Sequence, residues 1–197
     1  MFSITYCAAG CGQPAIYGST LCAAHSVDPD EEARRIGEYI TSRSVIKDLN
    51  AQGLHFERMD FSGRRFYGCS FDEASFLDCD FNNVYMRLVF FDFSQITSCG
   101  FTKGDFRFVS FAGTDIKNCS FEGAELVDVN YGGALISDVI FDDNDLLNSR
   151  FIEAKIRRTK FTNCNLRQTN FIRCLREETV IKTSNTAEAI FEMEEKG

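Results

Sequence analysis

Residues 61–81 read FSGRRFYGCSFDEASFLDCDF, with phenylalanine at 61, 66, 71, 76 and 81. The spacing continues in both directions. Every fifth residue from Phe56 to Phe171 is apolar, twenty-four positions without an exception. A repeat of fixed period is read first because it decides the fold. Five residues of α-helix advance about 140°, which would scatter the series around the axis. Five residues of straight strand reverse the face each time. A coil that bends once per repeat turns every member toward one axis.

The chemistry of the series gives the number of sides. Positions 61, 71, 81 and onward to 171 hold Phe, with Tyr131 the single departure. The interleaved positions, 56 to 166, hold mainly Ile, Leu or Met, with four Phe. A fifteen-residue coil would stack unlike on like. A four-sided, twenty-residue coil keeps the two sets in separate columns. Phe61, Phe81, Phe101, Phe121, Phe141 and Phe161 then form one unbroken column. Two residues before each centre, from Cys69 to Thr169, stand Cys, Ala, Val, Ser, Thr or Gly, with Asn144 the one misfit. Two positions in five therefore point inward. Asn144 implies an internal hydrogen bond or a widened corner. The register predicts about six coils over residues 56–175, a column of roughly 29 Å at sheet spacing. Both ends of such a column are open edges that need covering. Pro14 and Pro29 both lie outside the register.

Cys69-Ser70-Phe71, Cys79-Asp80-Phe81, Cys119-Ser120-Phe121 and Cys164-Asn165-Leu166 carry a resemblance to the pentapeptide-repeat family. That resemblance implies an all-β solenoid, a right-handed quadrilateral parallel β-helix. It implies no activity, because the family shares none. Some members resemble duplex DNA in shape and charge and bind type II topoisomerases. Many dimerise through the C-terminal end, which extends the expectation of a homodimer to this chain.

Outside the repeats, Cys7, Cys11, Cys22 and His25 follow the spacing C-x3-C-x10-C-x2-H. Two ligand pairs around a short loop suit a tetrahedral zinc ion, and four protein ligands leave no open position. The segment resembles small treble-clef-like or knuckle-like zinc modules, with Gly10 and Gly12 flanking Cys11. Twenty-odd residues cannot build a core, so a structural zinc would supply the folding energy. Asp28 as N-cap, Pro29 at the first helical position and Glu31 start a helix whose Ala33, Ile36 and Ile40 share a face. The expected organisation is a zinc module at 1–27, a capping helix and linker at 28–50, the β-helix at 51–183 and a second helix at 184–197. That second helix would place Ala187, Ile190, Phe191 and Met193 on its apolar side, either capping the column or pairing two subunits.

The net charge is −8, with the acidity concentrated in the flanks, which does not suggest direct nucleic-acid binding. No stretch has the apolar length of a membrane span. Nine cysteines without a secretory segment read as reduced thiols plus a metal site, the expectation for a cytoplasmic protein.

Outward positions supply the candidate contact residues. Tyr85, Leu88, Phe90, Phe93 and Phe108 are expected to cluster around one corner, either as a partner surface or beneath the N-terminal segment. Asp105, Glu125 and Asp145 stack at twenty-residue spacing and form an acidic column. Lys155, Arg157, Arg158, Lys160, Arg167 and Arg173 oppose it with a basic cluster. No residue set fits a catalytic constellation. The leading expectation is a non-enzymatic scaffold for an unidentified protein partner, without nucleic acid or membrane. The alternative is a DNA mimic that binds a topoisomerase such as gyrase and is linked to quinolone tolerance.

Overall fold

Phe81 and Phe101 stack with ring centroids 5.0 Å apart and planes within 3° of parallel. This contact fixes the coil at twenty residues. The structure, a computed structural model, describes residues 4–191. The strands are three residues long and pair in parallel with their twenty-residue neighbours, as in Phe66↔Met86 and Ile96↔Ile116. The result is a parallel β-solenoid of about seven turns, one more than expected.

Each coil has four faces. The first carries Ile46, Phe66, Met86, Phe106 and Leu126 at its centre and forms a five-stranded sheet. The third carries Phe56, Phe76, Ile96, Ile116, Ile136 and Ile156 within a seven-stranded sheet. The second and fourth hold the aromatic set, joined through most of the column by single bridges such as Ser70↔Phe90 and Asp80↔Gly100. On these two faces the rings form parallel stacks, 4.6 Å apart at Phe101–Phe121 and 4.7 Å at Tyr131–Phe151. The two stacks meet edge to face, as at Phe121–Tyr131 (88°) and Phe141–Phe151 (89°). Edge-to-face pairs contribute about 0.5–1.5 kcal/mol each beyond area burial. That interlock explains why aromatic residues occupy both of these faces.

The small inward residues also bind. Ser94 Oγ and Thr114 Oγ1 each donate to a carbonyl twenty-three residues back, Phe71 O and Phe91 O, at 2.7 Å. Cys79 and Cys119 thiols make the same contact with Phe56 O at 3.5 Å and Ile96 O at 3.7 Å. The sequence suggests cysteine as a small apolar filler; here it is also a weak donor, interchangeable with Ser and Thr. Burial holds the Cys69 and Cys164 thiols up at about 11, so they stay protonated. Asn144 accepts from Ala124 N at 3.3 Å, and the first-face strands end at the layer just before it.

Tyr131 is fully buried, and its hydroxyl has no hydrogen-bond partner among the described residues. Desolvation drives its pKa far up, so the phenol stays neutral. Tyr131→Phe should stabilise the column by about 1–2 kcal/mol, because an unsatisfied buried hydroxyl is removed without changing the stack. A higher denaturant midpoint is the expected reading; a lower one would mean that the hydroxyl has a partner.

The N-terminal end is covered. Helix α1 (Pro29–Thr41) starts at Asp28, whose side chain accepts from Glu31 N at 3.0 Å. Its buried residues Ala33, Ile36 and Ile40 join the core with Ile46, Leu49 and Phe56. The chain enters the coil at Val45–Lys47, one face earlier than the expected boundary at residue 51.

The C-terminal expectation is corrected. Residues 184–191 do not start a helix; they continue the coil. Asn185 bridges Asn165, Ile190 bridges Asn170, and Phe191 stacks on Phe171 at 5.1 Å. Ala187 and Ile190 are exposed rather than gathered on a helix face, and Met193 lies outside the described residues. The centres here are Arg176, Ile181, Thr186 and Phe191, so two polar residues conceal the register. Arg176 stays exposed at this end of the column and lays its guanidinium over the Phe191 ring, 4.8 Å from the centroid.

Candidate functional site

The four proposed metal ligands converge. The ligand atoms of Cys7, Cys11, Cys22 and His25 all lie within 4.8 Å of one another. Cys11 Sγ and Cys22 Sγ are 3.7 Å apart, Cys7 Sγ and His25 Nδ1 3.7 Å, and Cys22 Sγ and His25 Nδ1 3.3 Å. A zinc tetrahedron with Zn–S bonds of about 2.3 Å has edges of about 3.8 Å. The donor set and its size therefore fit a Cys3His zinc centre. The Cys22 backbone N–H holds the Cys7 thiol down at about 7, which favours the thiolate a metal requires.

Local backbone chemistry brings the ligands together. Tyr6 bridges Pro14 in antiparallel sense, and Cys7 N donates to Gln13 O at 2.9 Å. Gly10 and Gly12 both have left-handed φ, +76° and +78°, on either side of Cys11. No atom lies within 4 Å of a side chain built at either position, so the requirement is the backbone angle alone. A 3-10 turn at Ala23–His25 follows Cys22, with His25 N donating to Cys22 O at 3.1 Å.

The module is docked rather than tethered. On the second face the residue before each centre points its carbonyl toward the preceding coil, as in Phe71 N donating to Phe90 O at 2.7 Å. Asn50 O has no preceding coil, and Tyr17 N donates to it at 2.8 Å. The module thus satisfies the open edge. Asn50 Nδ2 donates to Ala15 O at 2.7 Å, and Arg35 Nη2 to Tyr17 O at 2.6 Å. This contact has no signature in the ligand spacing.

The five outward apolar residues do not share one corner. Leu88 and Phe108 stack at the corner between the first and second faces, twenty residues apart; Phe93 stands at the next corner. Tyr85 lies on the first face, its ring 5.5 Å from that of Tyr67. Phe90 lies between the two corners, facing the zinc module. The module reaches Phe90 but leaves Phe93, Phe108 and Leu88 at 70%, 48% and 44% exposure.

Residues 114–191 match the family model described as the pentapeptide repeat region. The column is a pentapeptide-repeat solenoid. No curated protein matches the chain. Among solved structures, full-length QnrB1, a plasmid-mediated fluoroquinolone resistance protein, is similar at 16% identity and TM-score 0.38, over 75% of this chain and 90% of that one. HetL, a pentapeptide repeat protein involved in heterocyst differentiation regulation in Nostoc sp. strain PCC 7120, is 9% identical over 79% and 94%, with TM-score 0.32. Rfr23 from Cyanothece 51142 is 13% identical over 76% and 99%, with TM-score 0.30.

The acidic residues of the pentapeptide-repeat column stack as expected: Asp105 pairs with Glu125, and Glu125 bridges Asp145. They are not a bare ribbon. Arg107 lies between the first two, 2.9 Å from Asp105 and 2.8 Å from Glu125. Asn165 Nδ2 donates to Asp145 at 2.8 Å. Much of the basic cluster is paired likewise: Arg158 with Asp138 at 2.5 Å, Arg167 with Glu188 at 3.0 Å and Arg173 with Glu153 at 3.0 Å. Among the described residues no helix is long and apolar enough to cross a membrane.

Proposed function

We propose that the protein is a non-enzymatic interaction scaffold, in which a structural zinc holds an N-terminal cap on a column that presents a protein-binding surface. The observation that carries this reading is the character of three corners. Every corner from Asp48 to Thr183 has left-handed φ, and all are glycine or polar except Leu88, Phe93 and Phe108. A left-handed conformation costs a side-chain-bearing residue roughly 1–2 kcal/mol, and these three stay 44–70% exposed, so burial returns only part of that cost. Neither property serves the fold; both suit a contact surface, where aromatic anchors dominate binding energy. Zinc would be held by Cys7, Cys11, Cys22 and His25 and would fix the loop without a free coordination position. A reducing, cytoplasmic setting suits the free thiols. A homodimer through the C-terminal end also belongs to this reading, because Ile181 and Phe191 stay only half-buried there.

Affinity capture from source cells should lose the partner, by about tenfold or more, with Phe93→Asp/Phe108→Asp. Equal recovery by wild type and this variant would remove the surface from consideration. The second reading, a DNA mimic that binds a type II topoisomerase, draws on the stacked Asp105, Glu125 and Asp145. Arg107 and Asn165 interrupt that column, which is why the scaffold is preferred. Inhibition of gyrase supercoiling, abolished by changing the three acids to Lys, would reverse the preference.

A further inference from the structure

A cleft of about 470 Å³ lies between the zinc module and the first layers of the second face. Its volume falls within the range of small-molecule sites, about 300–1,000 Å³. Buried Leu49 and Cys69 form part of its lining, with Tyr17 from the module, and Ile4 and Phe90 keep exposed apolar surface there. Among the described residues, the charged ones lining it are Asp48 and Asp72, and no Lys or Arg does so. Arg35, whose guanidinium lies beside Gly18 of the lining, is held by Tyr17 O and Glu32.

Asp105, Asp115, Asp138 and Glu153 each pair with an Arg or Lys. Asp48 and Asp72 have no ion-pair partner among the described residues. Asp72 is half-buried and accepts from Ser70 Oγ and from Asp92 N, both at 2.9 Å. Desolvation nevertheless pushes its carboxyl above the usual range, so these two neutral donors do not fully compensate the charge. An apolar cleft whose charged lining is negative is complementary to a cation carried on an apolar body.

We propose that this cleft binds a small organic ammonium ligand, with its apolar body against Phe90 and Ile4 and its cation in the field of Asp48 and Asp72. The site exists only while the module is docked, so the zinc-loaded full chain is the species to test. Phenethylammonium, 2-phenylethanol and 3-phenylpropanoate have the same aromatic body with positive, neutral and negative ends. In two-dimensional NMR titrations phenethylammonium should bind about tenfold tighter than the carboxylate. Its shifts should centre on Tyr17, Asn50, Ser70, Asp72 and Phe90. Asp72→Asn keeps an acceptor for Asp92 N and should weaken the ammonium about fivefold, leaving 2-phenylethanol unchanged. Asp48→Asn removes a charge whose side chain makes no hydrogen bond to the column and should act in the same direction. No saturable shift up to about 10 mM, equal binding of the carboxylate, shifts elsewhere, or indifference to both variants would each overturn the proposal.

Discussion

With the proposed zinc bound, stripping it with a chelator should release residues 4–27 from the column while the coils stay wound. The expectation follows from where the stabilising contacts lie. Cys7 and Cys22 are buried but lie outside the core cluster, and Ile16 is the module's one fully buried member of it, with Tyr17 and Ala23 packed against it. Structural zinc in modules of this size contributes roughly 10–16 kcal/mol of apparent folding free energy at neutral pH, far more than one buried isoleucine. Without it, the hydrogen bonds from Tyr17 N to Asn50 O and from Asn50 Nδ2 to Ala15 O lose their framework. Hydrogen exchange should show Cys7, Ala15, Ile16 and Tyr17 amides losing protection, with Phe101 and Phe121 unchanged. Cys22→Ser should reproduce the loss without a chelator. Protein shown by elemental analysis to be metal-free, yet still protected at Tyr17, would overturn the structural role of the metal.

The second large effect is expected from Phe121→Ala. Phe121 stacks between Phe101 (4.6 Å) and Phe141 (5.1 Å) and meets Phe111 and Tyr131 edge-on. Truncation leaves a ring-sized gap that short strands on four sides cannot close, so a loss of about 3–5 kcal/mol is expected. In a solenoid each coil is supported only by its neighbours, so a defect at mid-column weakens the coupling between its halves. Equilibrium unfolding should therefore shift to lower denaturant and broaden, or separate into two steps. A shift under about 1 kcal/mol would mean that the interior repacks around the gap, contrary to the interlocked stacks.

What could be read from the sequence was whatever repeats or is local. The twenty-residue coil follows from the division of Phe61–Phe171 and Phe56–Leu166 into two chemical sets, and the stacked rings bear it out. Asp28, Pro29 and Glu31 mark the start of α1 because a cap is decided by four residues. The metal ligands are equally local. The ends of the column were obscured for the opposite reason. Ala51 is too small to announce a coil centre, and Arg176 and Thr186 are too polar. Residues 184–197 therefore read as a helix, although Asn185 and Ile190 already sit in the ladder. The docking of Tyr17 on Asn50 joins segments thirty-three residues apart with no period behind it. The scatter of Leu88, Phe90 and Phe93 over two corners depends on where each face bends, which apolar spacing does not disclose.

The inward hydroxyls and thiols have a mechanical consequence. Backbone bonds join successive layers along the perimeter, while Ser94, Thr114, Cys79 and Cys119 pin each layer to the one beneath from inside. A tube fastened on both its wall and its lining resists torsion and shear. Anything that grips Phe93 and Phe108 meets a rigid template with fixed spacing, and must itself supply whatever flexibility the encounter requires.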